Sequence, residues 1–143
     1  MFRIALLLAT ALVLAACETP KVSKEEMEGA SFGPAPAYWK QEITSYLKLR
    51  LRDPQAAVID FRNEPKKLYQ KQVGLDPQHH GWAVCVVVRD KDRQGKFADP
   101  YPMTVFIRNE KIVHVNNGPD DIGPIGPAYA RRQCKELGAP FEN

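Results

Sequence analysis

The side chains best able to do chemistry here are three cysteines, three histidines and one run of alternating carboxylates. Cys17, Cys85 and Cys134 are too far apart for a Cys-x-x-Cys pair, which argues against a redox-active dithiol. A structural zinc site needs four Cys or His ligands; no further cysteine exists, and the histidines are not at ligand spacing. No metal and no cofactor are therefore expected. Asp90-Lys91-Asp92-Arg93-Gln94-Gly95 imitates the opening of a calcium loop. Such a loop needs a bidentate glutamate at its twelfth position, where Tyr101 stands. What remains is a solvated turn with Gly95 at its permissive point. His79 and His80 are adjacent, so their rings are expected to point apart rather than share a ligand. His114 falls in a strand pattern, on the face expected to hold Ile112. Ser23 and Ser31 lie in a polar N-terminal stretch and Ser45 in a helical pattern, so none has a nucleophile-elbow context. No phosphate-binding glycine loop and no His-Glu-x-x-His occur, and no catalytic residue is assigned.

These side chains must be held by a small set of elements. Residues 17–36 contain few large apolar side chains and are read as a flexible tether. Ala37 to Leu51 is the clearest helix, with Trp39, Ile43, Tyr46, Leu47 and Leu51 on one face and Pro36 at its start. Asp53-Pro54 stops it. Arg50 interrupts the apolar stripe; it either snorkels outward near the helix C-terminus or pairs internally with Asp60 or Glu64. Ala56 to Phe61 predicts a short strand. A long polar connection follows, with a turn of helix or a short strand near Leu68-Tyr69. Trp82 to Arg89 predicts a central strand, because both of its alternating faces are apolar. Val84, Val86 and Val88 share a face with Trp82, opposite Ala83, Cys85 and Val87. Asp90 to Pro100 is a polar loop. Tyr101–Ile107 and Lys111–Val115 predict a hairpin in which Asn109 tolerates a left-handed turn. A Pro/Gly-rich connector leads to a helix over Pro127 to Leu137, closed by Gly138, with Ala130, Cys134 and Leu137 facing inward. The fold class is α+β: an antiparallel sheet of three to four strands with an N-terminal and a C-terminal helix, in one domain over residues 37–143.

The first residues give an address. Arg3 precedes an apolar run from Ile4 to Leu14, and small residues follow. That is the layout of a secretory signal peptide, and the run is shorter than the ~20 apolar residues of a spanning helix. Leu14-Ala15-Ala16-Cys17 resembles the lipobox of bacterial lipoproteins. The resemblance implies cleavage after residue 16, diacylglycerol on the Cys17 sulfur and membrane attachment through that lipid, which two acyl chains make firm. Glu18, where an aspartate would favour the inner membrane, implies the outer membrane, facing the periplasm. With Cys17 so used, Cys85 and Cys134 remain. In an oxidising periplasm they predict a disulfide, worth about 4 kcal/mol on the chain-entropy model; the alternative is two separate thiols.

Removing residues 1–16 from the 143 leaves 127, one domain's worth of chain. Charges of both signs are interspersed and form no basic block, which argues against nucleic acid as a partner. Leu51-Arg52-Asp53-Pro54-Gln55-Ala56-Ala57 and Trp82-Ala83-Val84-Cys85-Val86-Val87-Val88, with the loop after it, are similar to small proteobacterial lipoproteins and secreted proteins. That group carries L-K-D-P-x-S-A at a helix end and W-x-V-C-G-x-V before an N-A-K-N-x-x-G-G-Y loop. Val86 replaces its glycine here, and Asp90 and Asp92 add charge to the loop. The resemblance spans roughly residues 40–107 and implies a fold and a secreted setting, with no established activity.

The expected function is a non-catalytic interaction or structural role in the envelope, toward an envelope protein or peptidoglycan. Two arrangements are open. If both helices pack on the Cys85 face, Val84, Val86 and Val88 form an apolar docking surface on the other. If one helix packs on each face, the valines are plain core and loop 90–100 becomes the better candidate. The alternative function is a small periplasmic hydrolase or ligand-binding domain, which would gather His114, Asp60 and an acidic loop residue in one pocket.

Overall fold

The computed structural model describes residues 21–142. Its elements run α1 (Lys24–Gly29), α2 (Trp39–Lys48), β1 (Val58–Phe61), β2 (Lys66–Gln70), β3 (His79–Arg89), β4 (Tyr101–Arg108), β5 (Lys111–Asn116) and α3 (Ile125–Glu136). The α+β class holds, with five strands, all antiparallel, in the order β1-β3-β4-β5 and β2 also on β3.

The fifth strand is β2, and it explains why β3 begins at His79 rather than Trp82. The eleven residues of β3 are long enough to serve two short strands on one edge. Its first half pairs with β2 (Gln70 opposite His79) and its second with β1 (Val58 opposite Arg89). Asn63 fills the break between them. Its Oδ1 accepts from the Cys85 amide at 2.7 Å and its Nδ2 donates to the Ala83 carbonyl at 3.3 Å, so the β3 backbone stays paired. Gly81 is required on the opposite side, since a Cβ there would lie 2.8 Å from the Ile107 carbonyl oxygen.

One helix packs on each face of the sheet. Trp39, Ile43, Leu47 and Leu51 cover Val84, Val86, Val88, Met103, Val105 and Ile107. On the other face α3 covers Ala83, Cys85 and Phe106 with Cys134 and Leu137. The apolar docking surface is therefore corrected: Val84, Val86 and Val88 are fully buried beneath α2 and belong to the core. Cys85 and Cys134, separated by 49 residues, form the expected disulfide with their Cα atoms 5.1 Å apart. It joins α3 to the central strand.

Several local expectations shift for identifiable reasons. α2 starts at Trp39 because the amides of Ala37 and Tyr38 donate to the Glu110 carboxylate, at 2.9 and 3.4 Å, instead of entering the helix. Glu110 can reach them because the β4–β5 turn places Asn109 and Glu110 at φ 52° and 60°. Arg50 pairs with neither Asp60 nor Glu64. It bonds Asp120 at 2.7 Å and lies over the Tyr46 ring at 4.0 Å, while Asp60 pairs with Arg62. A register shift between Phe106 and Ile107 leaves Val113 as an extra residue, so His114 lies opposite Phe106 and Ile112 opposite Ile107. His114 thus sits on the face away from Ile112.

The expected tether is also corrected over its described part. Ser23 and Glu26 form a reciprocal capping box that starts α1. Phe32 is buried edge-on against His80, and the Gly33 carbonyl accepts from the Trp82 indole at 3.2 Å. One aromatic side chain and the backbone carbonyls of Gly33 and Ser31, the latter 3.1 Å from His80 Nε2, lay this polar segment over the first half of β3.

Candidate functional site

The two-residue period of a strand sends His79 and His80 to opposite faces, and the two rings enter very different surroundings. His79 stacks on His114, ring centroids 3.5 Å apart and 4° from parallel. Around this pair lies a buried polar network. His114 donates through Nε2 to Asn116 Oδ1 at 2.9 Å. Asn116 donates to Gln70 Oε1 and Gln133 Oε1 at 2.7 and 2.8 Å. Gln133 donates to Gln70 at 2.7 Å, and Gln70 donates to the Asp76 carboxylate at 2.9 Å. Each donor meets an acceptor inside the protein, and the chain of bonds ends on a charge. The exception is His79 Nε2, which is buried without a hydrogen-bond partner, 3.7 Å from Asp76 Oδ1. Burial pushes the His79 pKa below the usual histidine value and the neighbouring His114 adds to this; Asp76 pulls the other way. This cluster holds no nucleophile: the Thr104 hydroxyl donates to the Ala130 carbonyl at 3.5 Å, and the nearby sulfurs are in the disulfide.

His80 faces the other way, into an open cleft of about 530 Å³ lined by Glu26, Ser31, Tyr69, Gln78, Arg108 and Asn109 among others. Tyr69, its partner across β2 and β3, stacks on it at 5.8 Å and 14°. Arg108 Nη1 lies 2.8 Å from His80 Nε2. The Ser31 carbonyl lies 3.1 Å from the same nitrogen. These contacts alternate. The tautomer decides between them: an Nε2 without a hydrogen accepts from Arg108, and one that carries it donates to Ser31. Glu26, at the rim, is bound by the Ser23 amide at 2.8 Å and by Lys71 at 2.9 Å, and these contacts, the amide first, hold its pKa below the usual glutamate value.

The other candidates separate. Cys17 lies outside the described residues. His114 on β5 and Asp60 on β1 sit on strands at opposite ends of the order β1-β3-β4-β5, so the pocket that a hydrolase would need is not assembled from them. In loop 90–100 the carboxylates serve the backbone. Asp90 accepts from the amides of Arg52, Asp53 and Lys91, at 2.6, 3.1 and 2.8 Å. Asp92 accepts from Gln94 and Lys96. Lys91 pairs with Asp53 at 2.7 Å, a bond that, with backbone donors, lowers the Asp53 pKa. The loop is held to the end of α2 rather than presenting ligands. Among the described residues no group of three or more His, Cys, Asp or Glu is arranged to hold a metal, and no helix is long and apolar enough to cross a membrane.

Sequence reasoning missed Gln70, Asn116 and Gln133, and it missed Arg108 as a cleft residue. Arg108 stood in the expected hairpin turn, where an arginine reads as solvated. The available signal was the Gln70–His79 and Tyr69–His80 alternation on either side of the 71–78 loop, which marks a hairpin with one polar pair per face. No protein-family model matches the chain, nor does any curated protein or solved structure.

Proposed function

We propose that the mature chain is a lipid-anchored protein of the bacterial envelope, held at the outer membrane through Cys17 and facing the periplasm, with a binding rather than a catalytic role. The lipobox-like Leu14–Cys17 supports the anchor. The Cys85–Cys134 bond fits an oxidising compartment. The observation that carries the binding role is the Arg108 cleft. It places a guanidinium with unused donors beside a stacked Tyr69–His80 pair, near no assembled nucleophile and base.

The test has two parts. Cys17→Ser is expected to release the protein from membranes; a variant that stays membrane-bound and fully processed overturns the anchor. Crosslinking of the lipidated protein in cells, read by mass spectrometry, is expected to return one dominant envelope component. Crosslinks scattered over many components, with none enriched, overturn the binding role.

A further inference from the structure

The cleft beside α1 has Arg108 in its wall. A guanidinium has five N–H donors, and the contacts of Arg108 are both to one ring, His80, with Nη1 2.8 Å from Nε2 and 3.5 Å from Nδ1. No carboxylate of the described residues lies within 4.0 Å of it, which is also true of Arg52, Arg89, Arg93 and Arg131; Arg108 differs from these in lining this cleft. Gln78 takes the Tyr69 hydroxyl on its Oε1 at 2.7 Å, so its amide N–H groups remain to donate. The one acidic side chain of the lining, Glu26, spends Oε2 on Lys71 and Ser23 and keeps Oε1 as an acceptor. The walls thus offer a planar cation, amide donors, one carboxylate oxygen and a flat ring pair. The volume, about 530 Å³, is that of a small-ligand site.

We propose that this cleft binds a short peptide by its free carboxylate, which pairs with Arg108, while the peptide's amino group faces Glu26 and its peptide plane lies on the Tyr69–His80 stack. The inference rests on the binding role above and names its ligand class. A planar carboxylate matches the guanidinium fork in a two-point contact. Lys71 already balances Glu26, so Arg108 has one positive charge to offer: a carboxylate matches it, whereas a phosphate brings close to two negative charges. A zwitterionic peptide end meets both signs at once.

The test is a titration of the mature chain, carrying Cys17→Ser to keep it in solution, followed by amide NMR. The probes are the dipeptide Ala-Ala, its C-terminal amide and inorganic phosphate. Ala-Ala is expected to give saturable shifts centred on Tyr69, His80 and Arg108. The amide and phosphate are expected to bind weaker by about tenfold or more. Arg108→Gln should abolish the response with the rest of the spectrum unchanged, and Arg108→Lys should weaken it, since an ammonium lacks the fork. Equal binding of the amide, phosphate at least as tight as Ala-Ala, or no response by about 10 mM overturns the proposal. If Ala-Ala fails while Arg108→Gln still removes the component crosslinked in cells, the peptide ligand is wrong and the binding role stands.

Discussion

His79 and His80 are neighbours in the chain and opposites in the fold. On the α3 side, His79 stacks on a network whose amides are all matched internally, so its polar groups serve to hold β2, β5 and α3 together. Across the sheet, His80 meets an arginine whose donors outnumber the acceptors within reach. The same residue types thus act as structure where hydrogen bonding closes and as a binding surface where it stays open. A buried amide without a partner costs about 1–3 kcal/mol, whereas an exposed guanidinium donor is satisfied by water and costs little. Unmatched donors therefore cost little on the open side, whereas on the closed side His79 Nε2 is the one buried side-chain atom left without a partner among the described residues.

That contrast can be broken experimentally, most severely at the disulfide that pins α3 over the closed side. Replacing Cys85 and Cys134 together by alanine is expected to cost about 2–5 kcal/mol in urea unfolding. A loss below about 1 kcal/mol would mean that α3 is held by its other contacts alone.

Next in size is Asn116, the hub of the network. Asn116→Leu strands His114 Nε2 and leaves Gln70 and Gln133 short of a donor. A loss of about 1–3 kcal/mol is expected, read from the same unfolding curves. A neutral substitution would show that water enters this side and that it is not closed.

The third effect is pH dependence. His79 has a folded pKa below its unfolded value, so the unfolded chain binds the proton more readily. Its contribution to stability is fully present above the ordinary histidine value of about 6.5 and is lost as pH falls through it. Asp53 and Glu26, whose pKa values are lowered, lose their contributions only in the more acidic carboxylate range, so the two windows separate. Thermal melts between about pH 7.5 and 5.5 should show a falling midpoint in the wild type and a shallower fall in His79→Gln. An unchanged slope in the variant would remove His79 as the cause.

The smallest effect sharpens the comparison from the open side. Arg108→Gln should change stability by no more than about 0.5 kcal/mol, because its charge supports no ion pair among the described residues. Large destabilisation by this substitution would make the arginine a structural member like Asn116.

What the sequence by itself determined was local. Apolar spacing marks α2 and its buried stripe, valine alternation marks β3 as central, and Asn109 marks the hairpin turn at its positive φ. The pairing of the two cysteines followed once Cys17 was set aside, and the disulfide bears it out. The helix, strand and turn readings rest on a period or a residue preference that acts within a few positions; the cysteine pairing, across 49 positions, rests on a count of thiols. Only the tertiary structure decided what covers each face. Alternation says that Val84, Val86 and Val88 share a side; it does not say which helix lies on that side, and α2 does. Glu110 serves α2 across 73 positions, and Gln70 meets Gln133 across 63. Glutamine and asparagine carry no apolar signature, so in sequence they read as surface until the fold brings their donors and acceptors together. The Arg108 cleft has the same origin: α1, β2, β3 and β4 each contribute a wall, and no local pattern records that they meet.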